Sequence, residues 1–550
     1  MEPYVRYNNG ADEYDKTSKL QYQINDHKLE PNLITQDFIP PQPEWKYAKY
    51  FPGAYSSDRQ LPFKGKKMNL AISLIAGVAI MFYGYDQGVM EGVSTSPDYQ
   101  MTIGVFNDVP TARDSATIGG AVATYYIGTL IGALIGGVLA DLIGRLRTTL
   151  FGCMFALIGA SLQTSAQSVS RFTFARAITG VGTGHLNSAV PVWVSEISHH
   201  SARGGALGFE FFLNIGGMSF AYWLTFALTE ANPALRWRLP LGIQLSFLLI
   251  LIVLMPMFPE SPRWLAKMGR NEDARHVLKT LRFQEGEDPV TFGSRVDEEF
   301  YGILEAVQVE RSKDLLGATG YSTMLLKDDP QRIRRRTWLI IWLQIMQQLV
   351  GIGVVTVFAP TVFRQAGYSS YLADLLAGVN TVSFMMSVLV AVVTLDRVGR
   401  RVTLFWGATA MGICLILSGV AARYATDQEV GADERQIWGA VVTTFSLLYT
   451  AVYGASWLTV PWLFPTEVMP LFVRAKGGCW SVVGWSLGNA LVIVLAPFLF
   501  TAIKYWTFIL YFWTFKFFTI PNVYFLYPET AGRSLEDMDA LFVSDSPFVR

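Results

Sequence analysis

Twelve mostly apolar stretches, each long enough to cross a bilayer, constrain this chain of 550 residues more than any other feature. The hydrocarbon layer is about 30 Å thick and an α-helix rises 1.5 Å per residue, so a spanning helix needs roughly 20 such residues. The stretches run 69–92, 117–140, 148–166, 172–194, 206–228 and 239–258, then, after a polar interruption, 337–363, 375–395, 402–422, 437–464, 477–502 and 505–527. Soluble core helices imitate one such stretch, not twelve. Hydrophobic residues make up 51% of the chain and charged residues 16%, where a soluble domain carries about 25% charge. An all-α membrane protein is the expected fold class.

The same composition excludes several functions. Lys and Arg (44) balance Asp and Glu (44), so there is no basic footprint for nucleic acid. Cys153, Cys414 and Cys479 are too few and too dispersed for a disulfide framework or a metal cluster, and no metal or cofactor is expected. No G-x-x-x-x-G-K-[ST] loop is present, which argues against a self-contained ATP-driven pump. No nucleophile and base pair up in a supporting context, so the chain is not read as an enzyme. Residues 1–67 are polar and lack the apolar core of a cleavable signal peptide.

Cytoplasmic loops retain Lys and Arg, which orients the spans. The loops on the side of the N-terminal tail carry Arg145, Arg147, Arg203, Arg397, Arg400, Arg401, Arg474 and Lys476. The opposite loops carry Asp98, Asp108 and Asp114, and then Asp427, Glu429, Asp433 and Glu434. Both termini are therefore expected in the cytoplasm, with the protein multi-pass in the plasma membrane and monomeric.

A chain-scale duplication separates a transporter from a simple channel. Asp141-Leu-Ile-Gly-Arg145 recurs as Asp396-Arg-Val-Gly-Arg400, 255 residues on. Pro191 to Glu196, with Arg203 seven residues later, recurs as Pro461 to Glu467, with Arg474 seven residues later. Pro259-Glu-Ser-Pro-Arg263 recurs as Pro528-Glu-Thr-Ala-Gly-Arg533. Three repeats in one order imply two homologous six-helix halves with a site between them at mid-membrane. The expected organisation is a tail at 1–67, a first bundle at 68–258, a cytoplasmic linker at 259–336, a second bundle at 337–527 and a short tail at 528–550. Asn271 to Thr280 in the linker alternate charged and aliphatic residues as a short amphipathic helix does.

With those motifs in view, the chain resembles a sugar porter of the major facilitator superfamily from about Asn69 to Phe542. The resemblance is carried by Gly84-Tyr-Asp86, Asp141 to Arg145, Arg176 with Gly180, Gly182 and Gly184, and Pro259 to Leu265. It continues through Gln347-Gln348, Asp396 to Arg401, Pro461-Trp462, Glu467, Arg474 to Gly477 and Pro528 to Leu535. Tyr85 to Gly88, Pro191 to Trp193 and Glu529 to Leu535 are most similar to fungal sugar and polyol proton symporters, including the glycerol symporter type. The resemblance implies two pseudo-symmetric six-helix bundles, import of a small sugar or polyol, and a proton as the coupling ion. A facilitative uniporter of the same fold and a non-transporting sugar sensor are the competing readings. The twenty or so residues after Tyr527 are too few for a sensor's long signalling tail.

The resemblance further implies a cytoplasmic latch between the halves, made by Asp141, Arg145, Glu196, Arg203 and Glu260 and by Asp396, Arg400, Glu467, Arg474 and Glu529. The alternative is that these charges only stop translocation, although a pure orientation signal needs no acids. Ionisable residues inside a span are costly and functional by default. Asp86 near the middle of the first span and Arg176 in the fourth are therefore the proton-coupling candidates, against a static buried pair tying the two spans. Glu91 is expected at the outer edge, and His185 as a packing histidine.

Sugars need dense hydrogen bonding plus flat apolar faces. Gln347, Gln348, Asn489 and Trp462 are the implied substrate-binding residues, with Phe358 and Tyr453 added to the same lining. The alternative for the amides is pairing between helices. The hexose-carrier pattern is only partly present: Leu349-Val-Gly351 follows the glutamines, Phe211 replaces an expected glutamine, and Phe384 stands where an asparagine is usual. A different sugar, a disaccharide or a smaller polyol is open. In the second span Gly128, Gly132 and Gly136 form a small-residue ladder for close helix packing.

Overall fold

The computed structural model describes residues 61–94, 96–105, 112–197, 203–315, 320–327, 329–356, 359–427, 429–470, 472–503, 505–531, 533, 538 and 541–542. The described residues are helical or connecting, and they fold as an all-α membrane protein of twelve spans in two six-helix bundles. The N-terminal tail expected at 1–67 and the C-terminal tail at 528–550 fall largely outside the described residues.

In chain order the helices are α1 Lys66–Val93, α2 Pro97–Thr102, α3 Ala112–Ile143, α4 Arg145–Thr164, α5 Val169–Ile197, α6 Arg203–Ala227 and α7 Pro233–Leu254. The connecting helices are α8 Pro262–Lys267, α9 Asn271–Arg282, α10 Pro289–Leu315 and α11 Tyr321–Leu326. The second half follows as α12 Ile333–Leu349, α13 Ile352–Thr356, α14 Ala359–Gln365, α15 Ser370–Val398, α16 Arg400–Thr426, α17 Ala432–Ser456, α18 Val460–Val468, α19 Arg474–Ile503, α20 Trp506–Thr514 and α21 Ile520–Leu526. Among the described residues nine helical stretches pass on length and apolarity alone. The spans that do not are α5, α6 and α20–α21; α5 carries Arg176, His185, Asn187 and Glu196 along its length, and five residues of π-helix, Phe515–Thr519, interrupt the last span.

Two spans are broken where they border the centre. Gly351, with φ +95°, ends α12, and a Cβ there would also lie 2.9 Å from the Tyr511 ring, so glycine is needed twice over. Trp457 to Thr459 separate α17 from α18, which leaves main-chain carbonyls without helical partners. Gly144 (φ +100°) and Gly399 (φ +94°) occupy matching corners of the two halves, each turning the chain directly into the Arg that opens the next helix.

The glycine ladder packs α3 on α5 as expected. A Cβ on Gly128 or Gly132 would stand 2.2 Å from the Ala177 carbonyl or 2.1 Å from the Val181 carbonyl, so only glycine permits this approach. The halves meet along two seams, α3 with α19 and α6 with α15. Ser219 and Thr381 share a hydrogen bond of 3.0 Å across the second seam, and the Tyr222 hydroxyl donates to the Asp374 carbonyl at 2.9 Å.

Of the connecting helices, α8 and α9 dock on the first half and α10 packs on them, while α11 packs on α12 of the second half, where Trp338 Nε1 donates to Leu325 O at 3.2 Å. The amphipathic stretch is helical as α9 and buries Ala274, Val277, Leu278 and Leu281. Thr280 O accepts the Gly65 N–H at 2.8 Å, and Arg282 donates to Ile197 O at 2.9 Å while pairing with Glu299 at 2.7 Å.

Candidate functional site

The sequence-predicted residues fall into three places: a buried ion pair inside the first half, a polar and aromatic surface where the halves face each other, and two charged networks at the Arg-rich end.

Asp86 and Arg176 meet inside the first bundle. Arg176 Nη1 donates to Asp86 Oδ1 at 3.0 Å, and both side chains are enclosed, at 0% and 1% exposure. Thr183 Oγ1 donates to Asp86 Oδ2 at 3.4 Å, and Tyr125 holds the guanidinium over its ring face at 4.4 Å. The pair thus joins α1 to α5, with α3 closing over it. Thr183 and Tyr125 escape a sequence reading because a threonine and a tyrosine in an apolar helix look like ordinary packing.

At the centre Gln347 and Gln348 lie at the end of α12, and their roles divide. Gln347 Nε2 donates to the carbonyls of Trp457 and Leu458, at 2.8 and 3.0 Å, which satisfies the break in the tenth span. Gln348 Nε2 reaches Gln347 Oε1 at 3.4 Å. One turn earlier Gln344, missed from sequence, donates to Pro461 O at 3.2 Å and Ser481 Oγ at 2.7 Å. Its spacing of three and four from the glutamine pair is the signal that would have found it. Asn489 Nδ2 donates to its own helix at Trp485 O, 3.0 Å. The amide nitrogens are therefore mostly committed to main chain, and the carboxamide oxygens of Gln348 and Asn489 are left as acceptors.

An aromatic cluster spans the two halves at this level. Trp485 stands 5.6 Å from Tyr83, 5.2 Å from Tyr126 and 6.3 Å from Trp462, which is 6.0 Å from Phe211. Tyr453 packs edge-on against Phe384 at 5.7 Å. The Asn380 side chain accepts from Thr450 Oγ1 at 2.5 Å, a tie between helices. Tyr83 Oη and Asn187 Nδ2, both in the first half, are buried polar atoms not bonded within the chain. Phe358 lies outside the described residues.

At the Arg-rich end, Arg145 binds Glu196 in bidentate fashion, Nε to Oε2 and Nη2 to Oε1 at 3.0 Å each, and pairs with Asp141 at 3.3 Å. Glu260 accepts the N–H groups of Arg145 and Leu146 at 3.1 Å and of Ser261 at 2.9 Å. Burial pushes the Glu260 carboxyl above the usual glutamate range, against the pull of the Ser261 N–H and the Arg145 charge. In the second half Arg400 binds Glu467 at 2.8 Å, Glu529 accepts the N–H groups of Arg400 and Arg401 at 2.8 and 3.0 Å, and Thr530 Oγ1 donates to Glu467 at 2.5 Å. Arg474 donates to Met469 O at 3.4 Å. The side chains of Arg203 and Asp396 lie outside the described residues.

These pairs join residues of one half rather than bridging the two, which differs from a latch drawn directly between the halves. The reason is local: each Arg opens a helix at its glycine corner, and the acids that reach it come from the following helix ends of the same bundle. Asp141 does stand within electrostatic reach of Lys476 in the other half. The linker adds ties that sequence alone gave no sign of, since Lys267 bonds Glu310 at 2.7 Å and reaches Asp141 at 3.7 Å. Burial works against the Lys267 charge, but Asp141 and Glu310 hold its ammonium above the ordinary lysine range.

His185 is a packing residue in its geometry, with Nδ1 2.7 Å from Val181 O and its ring stacked on Phe155 at 5.9 Å. Glu91 does not lie at an open edge: it is 2% exposed, because α6 covers this part of α1. No cluster of metal-binding side chains occurs among the described residues.

The profile of the family described as sugar (and other) transporter matches residues 72–542. The MFS-type transporter oryC of Aspergillus oryzae is 31% identical over 479 residues, 87% of this chain and 86% of that protein. The sugar transporter STL1 of Saccharomyces cerevisiae is 29% identical over 486 residues, 87% of this chain and 82% of its own. Among solved structures, the proton:xylose symporter XylE bound to 6-bromo-6-deoxy-D-glucose superposes with a TM-score of 0.69 at 23% identity, covering 87% of this chain and all of that one. At that identity the likeness speaks for the fold.

Proposed function

The chain belongs to the sugar (and other) transporter family of the major facilitator superfamily, and on that premise we propose that it imports a sugar or polyol across the plasma membrane by proton symport with alternating access. The Arg-rich end is then cytoplasmic, and the end bearing Asp98 and Asp114 faces outward.

The observation that carries the coupling is the Asp86–Arg176 pair. An acid and a guanidinium 3.0 Å apart with no solvent contact form a two-state element. Protonation of Asp86 cancels its attraction for Arg176, and the arginine then prefers other acceptors; desolvation and the nearby positive charge pull the acid's proton affinity in opposite directions, so opening and closing of the bundle changes it. A static structural pair needs no such sensitivity. STL1 is named a sugar transporter, and XylE a proton:xylose symporter, which fits the same chemistry.

Substrate binding is assigned to Gln347, Gln348, Tyr453, Trp462 and Asn489, between the two halves, and the same role is proposed for Phe358. Trp462 and Trp485 offer flat faces to C–H groups, and the free carboxamide oxygens accept from hydroxyls. Alternating access then exposes this surface to either side as the α3–α19 and α6–α15 seams part. The networks around Arg145 and Arg400 act as the cytoplasmic gate by holding the ends of each bundle rigid while the bundles rock.

The test is uptake of radiolabelled glucose, xylose, a disaccharide, glycerol and larger polyols in transporter-deficient cells with external pH recorded. One substrate is expected to enter with alkalinisation of the medium, faster at acid external pH, and Asp86→Asn is expected to abolish the alkalinisation. Uptake without proton movement that survives Asp86→Asn makes the protein a uniporter. Absence of uptake for every compound favours a sensor.

A further inference from the structure

The α6–α15 seam changes character along its length. Ser219, Tyr222, Trp223 and Phe226 are spaced to share one face of α6, and Tyr371, Asp374, Gly378 and Thr381 to share one face of α15. The two rows run antiparallel and meet at the end opposite the Arg-rich one. Phe226 packs on Tyr371 at 5.6 Å, and the buried Tyr222 hydroxyl donates to Asp374 O at 2.9 Å. A Cβ on Gly378 would stand 2.9 Å from the Trp223 ring, and the buried hydroxyls of Ser219 and Thr381 lie 3.0 Å apart. Toward the Arg-rich end the same seam packs Gly216 against the Met385 sulfur and Gly208 against Val392.

The two kinds of contact respond differently to motion. Apolar packing between helices in a bilayer has no fixed direction, and sliding exchanges one apolar neighbour for another. A hydrogen bond has one geometry, and breaking it leaves a buried polar group unmet. The outer stretch of the seam therefore has two discrete arrangements, bonded and parted. Asp374 is its joint: the carbonyl accepts from Tyr222 of the first half, while the carboxylate pairs with Arg364 of α14 at 2.7 Å. Since α14 lies beyond the break at Gly351, one residue ties the first half to α15 and to the outer piece of the seventh span.

We propose that the Tyr222–Asp374 bond, with the Ser219–Thr381 bond one turn deeper, is a clasp that shuts the central surface from the outside, and that both bonds break when the outer ends of α6 and α15 part to admit substrate. This rests on the transport reading above. Each bond is weak enough to be broken in every cycle, and losing one shifts the balance between shut and open by about fivefold.

The experiment uses the full chain in proteoliposomes and follows exchange of labelled for unlabelled panel compound at equal pH, which needs no proton gradient. Ser219→Cys combined with Thr381→Cys puts two thiols where the hydroxyls stand 3.0 Å apart, within disulfide reach. Oxidation is expected to join them and to cut exchange about tenfold or more, and dithiothreitol to restore it. The wild type, whose Cys153, Cys414 and Cys479 are buried, should keep its exchange under the same treatment. A cross-linked protein that exchanges at the wild-type rate overturns the clasp, and so do two thiols that oxidation fails to join. If the double variant does not fold, Tyr222→Phe decides. It is expected to lower the apparent dissociation constant for external substrate by about fivefold, because the outward-open fraction rises, and an unchanged constant overturns the clasp. A wild type that moves none of the panel compounds takes down the transport reading and the clasp together, whereas exchange that persists through the cross-link removes the clasp and leaves transport standing.

Discussion

Glu260 and Glu529 hold equivalent posts 269 positions apart: each carboxylate accepts the backbone N–H of the Arg that opens a helix and of the residue after it, Arg145 and Leu146 in one half and Arg400 and Arg401 in the other. In each half one carboxylate oxygen takes the Arg N–H and the other takes the N–H of the next residue, so the two carboxylates staple the corners that follow Gly144 and Gly399.

An amide cannot replace them, because its nitrogen would face one of the two N–H groups. Glu260→Gln should lower stability by about 1–3 kcal/mol, the usual loss when a buried donor is left unmet. Glu529→Gln should lose less, because Glu529 is half-buried where Glu260 is 1% exposed. Thermal unfolding of purified protein in detergent measures both, and equal losses would count against burial as the deciding factor.

Breaking the Asp86–Arg176 pair from one side leaves an uncompensated charge in a closed bundle. Arg176→Ala should cost about 3–5 kcal/mol, whereas the double change Asp86→Asn with Arg176→Gln should recover most of that loss. The recovered protein should still fail to accumulate substrate against its gradient. Stability in detergent and accumulation in vesicles read the two effects separately, and accumulation by the double variant would show that the pair is only structural.

Backbone contact between α1 and α6 depends on glycine. A Cβ on Gly84 would stand 1.8 Å from the Asn214 carbonyl, which belongs to main chain and has no room to yield. Gly84→Ala should therefore cost about 3 kcal/mol or more by overpacking. Gly120→Ala, where nothing lies within 4 Å, should be neutral or gain up to about 1 kcal/mol from helix propensity. Expression and unfolding temperature should fall for Gly84→Ala and hold or rise for Gly120→Ala.

Substrate affinity should follow the aromatic cluster. Trp462→Ala should raise KM by roughly two- to tenfold, the worth of one stacking face, and Trp462→Phe should raise it less. Tyr83→Phe removes a buried hydroxyl without moving the ring on Trp485, so a rise in KM with unchanged stability would assign that hydroxyl to substrate. Initial-rate uptake gives KM and maximal rate together.

The sequence by itself determined the twelve spans, because bilayer thickness fixes the length of an apolar helix and the chain repeats that length twelve times. It also determined the two halves, since the Asp-x-x-Gly-Arg corner and the acid that staples it recur in the same order. Asp86 and Arg176 were legible as partners because a charge within a span needs one. What only the tertiary structure decided is which groups remain free. Gln347 turns to the carbonyls at a helix break that no pattern announces, the Arg145 and Arg400 networks close within their own bundles, and Glu91 is sealed by α6. Hydrophobic periodicity reports which residues leave water, but a hydrogen bond depends on how two helices sit to within about an ångström. That placement is set by glycines and breaks acting together across the whole bundle.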